Sequence, residues 1–150
     1  MTSTDSMKQN IFTAAICLAI TLHFCSCKTY YIPVNSFKQQ FAGLELSKEV
    51  TTRGPAGDKL TYMTYPIDTI KCVDKDGKPY SLPNSPSLEI RFSYDNDKRA
   101  IFYFDLLKIT DTLITGGQSR FIPAIKKTIS INSISKIEIQ DGKKNFRYIN

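Results

Sequence analysis

From Leu60 onward the apolar residues fall on alternate positions, in short runs separated by turn-forming residues. Leu60, Tyr62 and Thr64 alternate with Thr61, Met63 and Tyr65. Leu88-Glu89-Ile90-Arg91-Phe92-Ser93-Tyr94 alternates without a break. A period of two is that of a strand with one face buried and one face wet, and no helix can satisfy it. The punctuation agrees: Arg53 to Asp58 is a turn cluster, Asp76-Gly77 and Asp141-Gly142 are hairpin signals, and Asp95-Asn96-Asp97 is a polar turn. Ile70 and Cys72, Leu113-Ile114 up to Gly116-Gly117, Ile129 through Ile139, and Phe146 to Ile149 supply further strands. Ala100 to Phe104 is apolar at every position, which predicts a central strand covered on both faces. With 150 residues there is room for one domain. The expected fold is all-β: a small antiparallel barrel or sandwich of about seven or eight strands.

One helix is expected beside them. Phe37, Phe41 and Leu44 are spaced i, i+4, i+7, and Ser36 with Gln39 three residues on forms a capping box. Gly43 suits its C-terminal end. This short N-terminal helix opens a domain of residues 36–150, with no internal repeat and no second domain.

The residue inventory excludes much chemistry. The one histidine is His23, inside the apolar N-terminal stretch, so the rest of the chain can build neither a Ser-His-Asp nor a Cys-His nucleophile, nor a histidine-bound metal site. Of four cysteines, at positions 17, 25, 27 and 72, the last stands in an apolar alternation and reads as core. Asp74-Lys75-Asp76-Gly77 has its glycine too early for a calcium loop and reads as a hairpin turn. Asp105, after the most apolar strand, is either a buried acid or a strand-end marker. Gly116-Gly117-Gln118-Ser119-Arg120 is a candidate anion-binding nest. The stretch from Gly116 to Lys127 is long enough for a functional loop, and its Arg120, Phe121, Lys126 and Lys127 form a candidate contact surface for an acidic or glycan partner. No catalytic residue, metal ligand or cofactor is assigned.

The N-terminus carries the sharpest signal. Met7-Lys8-Gln9-Asn10 is a short basic start, and Ile11 to Phe24 is an apolar run of about 21 Å as a helix. That is short of the ~30 Å needed to span a bilayer and fits the apolar region of a secretory signal. Phe24-Cys25-Ser26-Cys27 follows, and it resembles the lipobox of bacterial lipoproteins, with Ser26 as the small residue before the modified cysteine. Phe24 stands where that family usually has Leu. The resemblance covers residues 7–28. It implies a signal peptide over 1–26, cleavage before Cys27, lipid attachment to Cys27, and a tether over 27–35. It also implies sorting: Lys28 is not the aspartate that retains such proteins in the inner membrane, which points to the outer membrane. The first acid after Cys27 is Glu45, too distant for an acidic surface-export signal, which points to a domain facing the periplasm. Separately, the run from Ile109 to Ile139 resembles bacterial pleckstrin-homology-like domains, although the strand pattern at the C-terminus replaces that family's closing helix; no ligand or site is carried over.

The net charge of +6 resides after residue 26, where 19 bases face 13 acids. Such a surface attracts polyanions. No recognition helix or nucleic-acid motif accompanies it, so anionic lipid head groups or an envelope protein are the expected partners. The expected function is a membrane-anchored, non-catalytic binding or scaffolding module. A structural subunit of a larger envelope assembly, or a hydrolase working without histidine, are the alternatives.

Overall fold

The computed structural model describes residues 28–149, so the signal, the cleavage site and Cys27 lie outside the described residues. In chain order the elements are β1 (Thr29–Tyr31), α1 (Val34–Phe41), β2 (Lys48–Arg53), β3 (Lys59–Thr64), β4 (Thr69–Val73), β5 (Pro79–Pro83), β6 (Leu88–Tyr94), β7 (Lys98–Tyr103), β8 (Leu107–Ile109), β9 (Leu113–Gly117), β10 (Lys126–Ser130), β11 (Ile134–Asp141) and β12 (Arg147–Ile149). Short 3₁₀ turns at Phe104–Leu106 and Ile131–Ser133 bridge β7 to β8 and β10 to β11.

The all-β expectation holds. The strands form three open antiparallel sheets in the orders β5-β4-β1-β11-β6-β7, β10-β9-β8 and β12-β2-β3, and not a closed barrel. Among the described residues twelve strands replace the expected seven or eight, because several are too short, too polar or too proline-flanked to alternate visibly. β2 reads Lys-Glu-Val-Thr-Thr-Arg. β5 begins and ends with proline and lies at a sheet edge, where a missing amide donor is tolerated.

The six-stranded sheet has one buried and one wet face. Leu88, Ile90, Phe92, Phe102, Ile137 and Ile139 point inward and are fully buried. Glu89, Arg91, Ile101 and Glu138 line the outer face. The inner face is covered by α1, whose Phe37 meets Phe92 edge to face at 5.5 Å and whose Phe41 meets Tyr65 at 5.1 Å. It is covered also by β9, whose Gly116 lies against the Phe102 ring. The layered, sandwich-like core is therefore continuous from helix to sheet.

Four local expectations are corrected. α1 begins at Val34 after Pro33, and no side chain caps it; Pro33 fixes the approach to the helix and its carbonyl accepts Phe37 N, so the Ser36–Gln39 capping box does not form. The Ala100–Phe104 segment supplies an edge strand, β7, with Ile101 exposed. Asp141-Gly142 is not a hairpin: β12 leaves the sheet of β11 and pairs with β2. Thr29–Tyr31, within the expected tether, is instead sheet, hydrogen-bonded between β4 and β11. Other signals stand as read. Gly77 has φ +78 in the β4–β5 turn, where Asp74 Oδ1 accepts Asp76 N and Lys78 N at 2.9 Å. Asp95, Asn96 and Asp97 all take positive φ between β6 and β7, which Asn and Asp tolerate better than most residues. Gly43 follows the helix at φ +72. Among the described residues, no helix is long and apolar enough to cross a membrane.

Candidate functional site

Asp105 sits in the 3₁₀ turn directly after β7, and Arg120 lies in the loop 118–125 that joins β9 to β10. They meet in an ion pair, Nη2 to Oδ1 at 2.5 Å, with side-chain exposures of 1% and 0%. Such a pair survives burial only if its remaining polar atoms are satisfied. Here most are. Tyr62 on β3 donates its hydroxyl to Asp105 Oδ2 and accepts Arg120 Nη1 at 2.9 Å. Tyr148 on β12 donates to Asp105 Oδ2 at 2.9 Å. Arg120 Nη2 also donates to the Pro86 carbonyl at 2.6 Å. The guanidinium carbon lies 4.4 Å from the Tyr103 ring centre and 5.3 Å from that of Phe146, within cation–π range. Arg120 Nε alone is buried without a partner. One carboxylate thus ties together the end of β7, β3, β12 and the 118–125 loop.

The electrostatics follow from this geometry. Burial works against the Arg120 charge, but Asp105 outweighs it and the guanidinium is held more firmly protonated than usual. Burial, reinforced by Asp105, pushes both Tyr62 and Tyr148 above the ordinary tyrosine value, with Arg120 opposing in each case. A pKa raised on folding contributes stability in full below the unfolded value of 10.0 and loses it as pH rises through the folded values. Above pH 10 the domain should therefore lose stability progressively, and the ionisation of these two tyrosines should coincide with unfolding. Tyrosinate absorbance and circular dichroism followed together check this; Tyr62 and Tyr148 ionising near pH 10 with the fold intact would refute it.

The four residues of the expected contact surface are separated. Arg120 is withdrawn from it: its guanidinium pairs with Asp105 and lies over the rings of Tyr62, Tyr103 and Phe146. Phe121 is 61% exposed, beside Phe146 at 5.8 Å. Lys126 is exposed at the start of β10. Lys127 is half-buried, its amine over the Tyr94 ring at 5.4 Å. Ile122 and Ile125, which the sequence reading did not single out, are 54% and 43% exposed. The loop carrying them is ordered: Ser119 Oγ accepts Ile122 N at 3.1 Å, Ile122 O accepts Ile125 N at 3.0 Å, and Ile125 O accepts Gln118 N at 2.9 Å. The nest reading of Gly116-Gly117 is replaced. Neither glycine takes a positive φ, and both stand inside β9, where Phe102 and Leu106 fill the space of a side chain.

A cleft of about 400 Å³ adjoins this network through Tyr148 and lies between β2, β12 and the segment after β3, with Lys48, Tyr65, Asp68, Asn84 and Tyr148 among its walls. Asn84 Oδ1 is buried there without a partner, while its amide nitrogen donates to Ile67 O. Cys72 is free and buried, and burial raises its thiol pKa. Among the described residues no group of three or more His, Cys, Asp or Glu side chains is placed to hold a metal. Comparison with protein-family models, with curated proteins and with solved structures finds no match to this chain.

Proposed function

We propose that this chain is the precursor of a bacterial envelope lipoprotein, cleaved before Cys27 and lipid-anchored through it, whose β domain is a non-catalytic binding or scaffolding module. The outer membrane, with the domain facing the periplasm, is the location we infer from Lys28 and the distant first acid. The observation that carries the reading is the Phe24-Cys25-Ser26-Cys27 arrangement after the basic start and apolar run, and the position of β1 is compatible with it. This strand begins at Thr29 and pairs with β11 and β4, so an acyl group on Cys27 would hold the folded domain directly at the bilayer with no slack between them. The binding class is favoured over the hydrolase by the state of Asp105. Its two oxygens already accept three hydrogen bonds, and its basic neighbour is a guanidinium, which stays protonated and cannot act as a base.

Acyl chains contribute about 0.8 kcal/mol per buried CH₂, so Cys27→Ser should move essentially all of the protein from the membrane fraction to the soluble fraction. Mass analysis of the wild-type N-terminal peptide should show an acylated cysteine. An unmodified mature N-terminus in the wild type would overturn the anchor. Proteinase K treatment of intact cells tests orientation: protection is expected, and rapid digestion would place the domain on the cell surface.

A further inference from the structure

We infer that the 118–125 loop is a membrane-docking finger that inserts Phe121, Ile122 and Ile125 into the interface of the bilayer carrying the Cys27 lipid; the choice of bilayer rests on the anchor proposed above. The first observation is the loop itself. Three large apolar side chains stand more than two-fifths exposed within five residues, on a backbone held by its own hydrogen bonds and seated on the buried Arg120. An ordered loop that presents apolar groups to water is a binding element more often than a defect.

The second observation identifies the occupant. In the six-stranded sheet Thr29 pairs with Gln140, Gln140 with Glu89, and Glu89 with Tyr103. These four residues form one row along one rim of the sheet. Three strand spacings separate its ends, about 14 Å. At one end of the row the chain arrives from Cys27, two residues and at most ~7 Å earlier. At the other end Arg120 lies on Tyr103, and Nη2 of Arg120 donates to Pro86 O just before β6. Phe121 follows in sequence and leans on Phe146, which itself packs on Tyr103. The anchor and the finger therefore share a rim, and a bilayer that receives one meets the other.

Charge on this rim is compatible with that. Lys28, Lys75, Lys78, Lys126, Lys143 and Lys144 accompany the acids Asp74, Asp76, Glu89 and Asp141. Glu89 is taken by Lys144. Asp141 Oδ1 accepts Ser87 Oγ at 2.6 Å and Lys143 N at 2.8 Å, and Asp74 is engaged by the β4–β5 turn. The hydrogen bonds leave Asp74 and Asp141 charged and Lys144 is spent on Glu89, so Lys28, Lys75, Lys78, Lys126 and Lys143 against Asp74, Asp76 and Asp141 leave a small lysine excess to face anionic head groups. Lipid attachment holds the domain to the bilayer at one point; a second contact fixes its orientation about that point.

The chain contains no tryptophan, which makes a single-tryptophan reporter possible. Ile122→Trp, and as a second probe Ile125→Trp, would be made in the full chain, purified from membranes and reconstituted in phosphatidylcholine–phosphatidylglycerol vesicles with and without brominated acyl chains. Leu113→Trp is the control: Leu113 is exposed at the other end of β9, and its neighbour Thr112 accepts Ile131 N. Blue-shifted emission that is largely lost to brominated lipid at 122 and 125, but not at 113, is the expected result. No bromolipid quenching at 122 and 125 overturns the docking. Blue-shifted emission without quenching overturns it in favour of a protein partner or a second copy. The mass of the N-terminal peptide judges the anchor independently. If Cys27 proves unmodified, quenching at 122 and 125 on the same vesicles still upholds insertion, and its absence still overturns it.

Discussion

Arg120→Ala is expected to cost roughly 3–5 kcal/mol of folding free energy, the penalty for stranding a buried charge. Asp105 would keep its burial and lose its counter-ion, and Tyr62 would lose the guanidinium that donates to its hydroxyl. Set against a typical domain stability of roughly 5–15 kcal/mol, that loss is large. With a urea slope of about 1–3 kcal/mol/M, the unfolding midpoint should fall by more than about 1 M. Asp105→Leu combined with Arg120→Met should recover part of the loss. It removes the orphaned charge, although Leu is bulkier than Asp and the hydroxyls of Tyr62 and Tyr148 still lose their acceptor. The double variant being no more stable than Arg120→Ala, or Arg120→Ala shifting the midpoint by only a few tenths of a molar, would show that the pair does not hold the fold. Because Arg120 seats the finger, its loss should also loosen the 118–125 loop, seen as faster amide exchange at Ile122 and Ile125.

Gly116→Val is the second large effect expected. Gly→Xaa changes in a strand often help, because they reduce the freedom of the unfolded chain and the backbone here is not left-handed. At this position sterics reverse the sign. A Cβ at Gly116 would lie 2.2 Å from Phe102 Cγ, and that ring is 1% exposed in the middle of the core. It has nowhere to turn without disturbing Phe92, 5.8 Å away. Overpacking of this kind costs about 1–3 kcal/mol and sometimes more. The rescue is specific: Phe102→Leu should be destabilising alone and should restore stability when combined with Gly116→Val. Denaturation curves of the four proteins close the cycle; additive losses would mean that the two residues do not compete for the same space. This outcome would also separate the steric role of Gly116 from an anion-binding one, since neither variant adds or removes a ligand group.

The sequence by itself determined what is local. Alternation at Leu88–Tyr94, the glycine at Gly77 and the triplet Asp95-Asn96-Asp97 each express the preferences of a few neighbouring residues, and all three appear as read. Phe37 and Phe41, four residues apart, face the core from one side of α1 for the same reason. The absence of histidine after His23 is likewise a property of the sequence that no fold can change. What the tertiary structure decided is where non-local partners meet. Asp105 finds Arg120 across 15 positions, Tyr62 across 43 and Tyr148 across 43, and no period or motif links residues so far apart. The same holds for the choice of sheet. Asp141-Gly142 has hairpin chemistry, yet β12 joins β2 instead, because turn residues permit a reversal while the surface left open by the rest of the fold chooses the partner strand. Gly116 follows the same logic: only the packed position of Phe102 made it a matter of space and not of backbone freedom. Local dihedral and periodic preferences act within a few residues, whereas burial, ion pairing and close approach exist only once distant segments have assembled, and that is when Arg120 became the seat of an exposed finger instead of part of its surface.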